Sequence, residues 1–187
     1  YQSQDTLRNG VGFWIKYPRA HAISYSGARI TRETIDVADK WNMIGTPAYP
    51  VPIANIDALP PASRVSEFYG YSGVTGYFTE STLQPGSAYW VKISNAGTMV
   101  LDPNPAIRQS IPDASGGRAT NGNSRSLLLN GTVENALNSL IVTDSAKRRR
   151  GLYFACQSMN VDIARYELPP IPPEGMDVRY ASGRFME

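Results

Sequence analysis

The chain has one cysteine, one histidine, few charges and no long apolar run. Each scarcity excludes something. A lone Cys156 cannot close an intrachain disulfide. Its place in the apolar run 152–156 reads as a buried thiol rather than a nucleophile. A lone His21 rules out a histidine metal cluster and would have to serve any triad alone. It lies in "RAHAISYS" with no acidic neighbour in sequence and reads as structural. There is no G-x-S-x-G elbow, P-loop or H-E-x-x-H motif, and no calcium-loop pattern. No apolar stretch reaches the ~18 residues of a membrane span, so no membrane insertion is expected. Charged residues make up 18% and the formal net charge is +2, too little for a nucleic-acid footprint.

What is abundant points to strands. The 187 residues include Tyr 11, Gly 16 and Pro 14. Tyr, Trp and Thr suit a pleated surface, and Gly and Pro punctuate short strands. The fold class predicted is all-β, with two small antiparallel β-domains, sandwich-like or barrel-like.

The chain also writes one phrase twice. "DTLRNGVGFWIKY" at 5–17 returns as "STLQPGSAYWVKI" at 81–93. Tyr1 meets Tyr77, Leu7 meets Leu83, Gly10 meets Gly86, Trp14 meets Trp90 and Lys16 meets Lys92, without a gap. The shared pattern is L-x-x-G-x-[GA]-[FY]-W-[IV]-K, and a fixed-period echo signals duplicated structure. Gln84, Pro85 and Gly86 carry turn chemistry. "AYWVKI" alternates, placing Tyr89, Val91 and Ile93 on one face and Trp90 and Lys92 on the other. With "NAG" as a turn and "TMVLD" returning, each copy reads as a hairpin. Gly10, Gly86, Trp14 and Trp90 are its structural anchors.

The organisation predicted is a closing hairpin of a truncated repeat unit at 1–27 and a complete repeat unit at 28–102. A linker or long loop at 103–125, rich in Pro, Gly, Ser and Asn, comes next. A C-terminal β-domain follows at 124–187. Within it, "NALNSLIVTD" at 135–144 and "RRRGLYFACQ" at 148–157 are expected to pair across a tip at Ser145–Arg150, which holds the basic run Lys147-Arg148-Arg149-Arg150. That tip reads as solvated, or as a grip for an anionic glycan or lipid. The run Pro169, Pro170, Pro172, Pro173 reads as polyproline-like. With no initiator Met and no signal peptide, the chain reads as a mature or excised piece of something longer.

Two stretches resemble parts of large exported bacterial proteins. "KWNMIGTPAYPV" with "LQPGSAYWVKISNAG" is similar to a module recurring in proteins that leave by the type IX secretion route. "LYFACQ…ARYELPPIPPEGMDVRYASGRFME" is similar to the segment that precedes the C-terminal sorting region of such proteins; that region itself is not present in this sequence. The resemblance implies an extracellular or cell-surface location and no catalytic residue.

No reaction can be read from the residues, so the expectation is a non-catalytic protein without cofactor or metal. Asp36 with Asp39, and Glu67 with Glu80, are carboxylates that equally read as surface charge. Asp102 and Asp113 flank turns and could cap them or hold calcium weakly. The aromatic surplus is the remaining lead. Trp41, Tyr49, Tyr69 and Tyr71 are candidate ligand or interface aromatics. The expectation is a structural or assembly module joined by strand complementation, with self-association or modules of the same surface protein as partners. The alternative is a carbohydrate-binding or adhesive module of a secreted hydrolase, with glycans as ligands.

Overall fold

In the computed structural model, the described residues are 6–19, 22, 27–103, 137–155 and 162–187. His21, Cys156, Asp113, the repeat's first residues and nearly all of the expected linker lie outside them.

The strands are β1 (Glu33–Val37), β2 (Lys40–Gly45), β3 (Val51–Pro52), β4 (Ile56–Leu59), β5 (Tyr69–Ser72) and β6 (Gly76–Thr79). They continue with β7 (Thr82–Leu83), β8 (Ala88–Ile93), β9 (Gly97–Leu101), β10 (Asn138–Thr143) and β11 (Arg149–Phe154). Two 3-10 turns, Ile53–Asn55 and Ile163–Tyr166, are the only helical turns among the described residues. The chain is all-β, as composition predicts.

A four-stranded sheet in the order β2-β8-β5-β6 faces a three-stranded sheet in the order β1-β9-β4. The core between them holds Ile35, Val37, Ile44, Tyr89, Val91, Ile93, Met99 and Leu101, with Val51 and Leu83 from the paired short strands β3 and β7 and Phe68 from the segment before β5. The alternation in β8 is as read: Tyr89, Val91 and Ile93 are buried inward, and Trp90 and Lys92 face out. Each fully buried aliphatic or aromatic side chain here contributes about 1.5–3 kcal/mol.

The hairpin expected over 88–101 is corrected. β8 pairs with β2 and β5, whereas β9 pairs with β1 and β4. The chain therefore crosses from one sheet to the other through residues 94–96, where Ser94 N–H bonds to Ser63 O at 2.8 Å. β1 and β2 make the mirror-image crossing. Lys40 adopts φ 72° there, and Asn42 ties the bend by bonding Ala38 N and O at 2.9 and 2.8 Å. A period-two pattern is the same whether the next strand pairs alongside or turns a sandwich corner.

Residues of the C-terminal half form a third layer on the outer face of the four-stranded sheet. β10 and β11 pair as a hairpin, Asn138 opposite Phe154 through Thr143 opposite Arg149. Leu152, Leu168, Phe185 and Met186 pack there against Tyr69 and Tyr77, with Trp41, Tyr71 and Trp90 at the margin. The stretch 176–183 has no ladder of its own, and the chain end that follows it joins through the bridges Glu167–Arg184 and Tyr153–Met186.

Candidate functional site

The aromatic outer face grows from β-strand geometry. Trp41 and Met43 from β2, Trp90 and Lys92 from β8, and Tyr69 and Tyr71 from β5 alternate out of the core onto one surface. Trp41 stands opposite Lys92 and Met43 opposite Trp90. The rings meet edge to face: Trp41 with Tyr69 at 5.9 Å, Tyr71 with Tyr77 at 5.1 Å, and Trp14 with Tyr71 at 5.3 Å. Such contacts add roughly 0.5–1.5 kcal/mol each beyond burial.

Most of this face is occupied by the chain itself. Glu167, next to the proline run, accepts from Trp41 Nε1 at 3.0 Å with Oε1 and from Lys92 Nζ at 2.6 Å with Oε2. Burial works against its ionisation. The hydrogen bonds from Lys92 and Trp41, with the charges of Lys92 and Arg184, outweigh that and hold the carboxyl below its ordinary range. Two tyrosine hydroxyls then clasp the proline segment: Tyr77 donates to Pro170 O and Tyr71 to Glu174 O, both at 2.6 Å. A polyproline stretch leaves its carbonyls unbonded internally, so it suits a row of donors on an aromatic surface. Gly175, at φ 98°, passes so close that a Cβ would lie 2.0 Å from Tyr71 Oη. Burial pushes the Tyr69 hydroxyl above its ordinary range, helped by the charges of Glu67 and Glu167.

Two of the four residues of the basic run are drawn inward too, while Lys147 and Arg149 stay exposed. Arg148 is oriented by Asp144, Nε to Oδ2 at 2.6 Å, and donates through Nη1 to Gly73 O at 2.8 Å. Arg150 Nη2 donates to Tyr77 O at 3.1 Å, and burial lowers its proton affinity. Arg148 and Arg150 thus fasten the third layer to the β5–β6 hairpin. Arg179 holds Asp177 with two bonds and reaches Pro169 O at 2.7 Å.

A neutral cleft of about 170 Å³ remains beside residues 13–14, lined by Phe13, Trp14, Met43, Tyr69, Tyr71, Ser87, Ala88 and Trp90. Of the four aromatics predicted as candidates, Tyr69 and Tyr71 reach it. Trp41 is bound to Glu167, and Tyr49 stands exposed on the 46–50 loop and does not line the cleft.

The first copy of the repeated phrase supplies Phe13 and Trp14 to this cleft. Residues 7–17 form an arm rather than a strand. Gly12 N–H bonds to Met43 O at 2.9 Å and Gly45 N–H to Gly10 O at 2.8 Å, so Val11 bridges Ile44 in antiparallel sense. β8, the second copy, lies antiparallel on the other edge of the same strand. The two copies therefore flank β2. Their anchor glycines share a left-handed turn, Gly10 at φ 73° and Gly86 at φ 77°. Their tryptophans take different roles: Trp90 belongs to the sheet, while Trp14 rests on Tyr71 from outside.

Asp36, Asp39 and Glu67 are exposed, Glu80 is half-buried, and Asp102 is in reach of Arg32 at 3.5 Å. Among the described residues no three His, Cys, Asp or Glu side chains gather as a metal site, and no helix is long and apolar enough to cross a membrane. Sequence reasoning passed over Glu167, and it read Arg148 and Arg150 as a solvated tip or an anion grip rather than as donors to the chain's own carbonyls. Comparison with family models, curated proteins and solved structures finds no match to this chain.

Proposed function

We propose that the chain is a non-catalytic structural and assembly module of an exported bacterial surface protein. One observation carries the reading. The chemically capable side chains of the outer face, Glu167, Lys92, Trp41, Tyr71, Tyr77, Arg148 and Arg150, are committed to fastening the chain's own third layer. Their geometry is that of a layered strut. The sandwich keeps strand edges that a neighbouring module can extend, the usual route of β-augmentation. The cell-surface location rests on the resemblance to type IX secretion cargo. Protease shaving of intact cells expressing the parent protein tests it. Loss of the epitope from intact cells supports the reading, and protection until lysis overturns the location.

A second reading has its own observation, the aromatic cleft beside Trp14. Rings lining a neutral cleft are the arrangement by which β-modules stack on pyranose rings, so a carbohydrate-binding or adhesive role is the competing proposal. Binding on a glycan array that disappears in Trp14→Ala, with thermal stability unchanged, supports it. Silence across the array counts against it.

A further inference from the structure

We infer that the arm at residues 7–17 is exchanged between copies, docking on the open edge of β2 in a second chain. This rests on the reading of the chain as an assembly module and specifies its joint. The structure shows both the edge of β2 and the segment that occupies it. β2 already binds the phrase L-x-x-G-x-[GA]-[FY]-W-[IV]-K twice, in the same antiparallel sense, once on each edge. On the β8 side the binding is a full six-residue ladder from Lys40–Ile93 to Gly45–Ala88. On the arm side it is one bridge. The register Val11–Ile44 would continue to Phe13–Asn42 and Ile15–Lys40, yet among the described residues no further bridge forms.

The arm's backbone is accordingly joined to β2 by little, two hydrogen bonds at one bridge, and the Trp14–Tyr71 contact and the Lys16–Glu174 ion pair are among its side-chain contacts. That pair is exposed on both sides, at 78% and 65%, where water screens an ion pair and it contributes little. The arm meanwhile carries an unusual density of uncovered apolar side chains. Leu7, Val11, Phe13, Trp14, Ile15 and Tyr17 are between 37% and 55% exposed. Contiguous exposed apolar surface of this kind marks an interaction site. A segment that matches an edge in its own chain matches the same edge in another copy, which is the low-cost route to swapped assemblies. The fit is selective at one point. A Cβ at Gly12 would lie 2.6 Å from Met43 Cγ and 2.8 Å from Ala88 Cβ, so only glycine lets the arm lie close there.

The test mixes two single-cysteine variants of the full chain in a Cys156→Ser background. One carries Val11→Cys and the other Ile44→Cys. Val11 and Ile44 form a non-hydrogen-bonded antiparallel pair, the type with the closest Cα atoms, about 4.5 Å. Neither variant can cross-link that pair within its own chain. A disulfide-linked heterodimer on mild oxidation, absent with either variant alone and suppressed by Gly12→Val in the arm-bearing partner, is expected. No heterodimer overturns the exchange.

Ile44 is a core residue, so a second measurement does not depend on its replacement. Size-exclusion with light scattering compares the parent chain with Gly12→Val. Losing both backbone bonds of the arm is expected to weaken association about tenfold or more. Oligomers of undiminished affinity in Gly12→Val overturn the arm as the joint while leaving the assembly reading standing. A parent chain that stays monomeric overturns both.

Discussion

Removing the Glu167 carboxylate is expected to loosen the third layer from the sandwich. In Glu167→Ala, Trp41 Nε1 and Lys92 Nζ lose partners at 3.0 and 2.6 Å. The Lys92 and Glu167 side chains are 24% and 32% exposed, so water replaces part of what is lost. A hydrogen bond to a charged group contributes about 1.5–3 kcal/mol, and leaving a half-buried donor unpaired adds to that. Together the substitution should cost roughly 2–4 kcal/mol. For a chain of this size that corresponds to a drop in Tm of roughly 4–16 °C. Equilibrium urea unfolding followed by tryptophan fluorescence reads it, since Trp41 and Trp90 sit at this junction. Glu167→Gln keeps an acceptor for the indole and should cost less, about 1–2 kcal/mol. A double-mutant cycle with Lys92→Met should return a coupling of about 1 kcal/mol or more. Strict additivity, or a Glu167→Ala chain within about 0.5 kcal/mol of the parent, would refute the view that this carboxylate locks the two layers.

The same carboxyl predicts a pH dependence. Its folded-state affinity for protons is below the unfolded value, so its contribution is full above the ordinary glutamate range and is lost as pH falls through the folded value. The stability gap between parent and Glu167→Gln should close on acidification, and a gap that widens in acid contradicts the assignment. Tyr77→Phe and Tyr71→Phe each remove a hydroxyl bonded to the proline segment and should cost about 0.5–1.5 kcal/mol. Faster proteolysis near residues 170–174 would show the loosened clasp. Gly70→Ala places a Cβ 2.7 Å from the Phe78 ring and should cost about 1–3 kcal/mol by overpacking, measured by thermal unfolding.

How much of this was legible depends on sequence range. The alternation of Tyr89, Val91 and Ile93 against Trp90 and Lys92 is local, and a period of two reports it directly. The left-handed turns at Gly10 and Gly86 follow from turn chemistry and from the echo between the copies. What β8 does next is not local. A corner and a hairpin share one pattern, because both strands present their apolar face to the same core. The fate of the outer face was hidden for a related reason. Trp41, Tyr69 and Tyr71 look like a free aromatic platform until Glu167 and the proline run, about a hundred residues away, are laid on it. Nothing beside Glu167 in sequence marks it as a partner for an indole and an ammonium. Likewise the run of four basic residues reads as solvated, which holds for Lys147 and Arg149, whereas Arg148 and Arg150 find acceptors in the carbonyls of Gly73 and Tyr77. The arm combines both cases: its phrase was visible as a repeat, while its seat on β2 required the fold.

Native mass spectrometry of the purified chain across a concentration series, with negative-stain imaging of the same samples, tests the assembly claim most directly. Oligomers that lengthen with concentration into ordered chains are the predicted result. A single monomer peak at every concentration, with isolated particles on the grid, would contradict it.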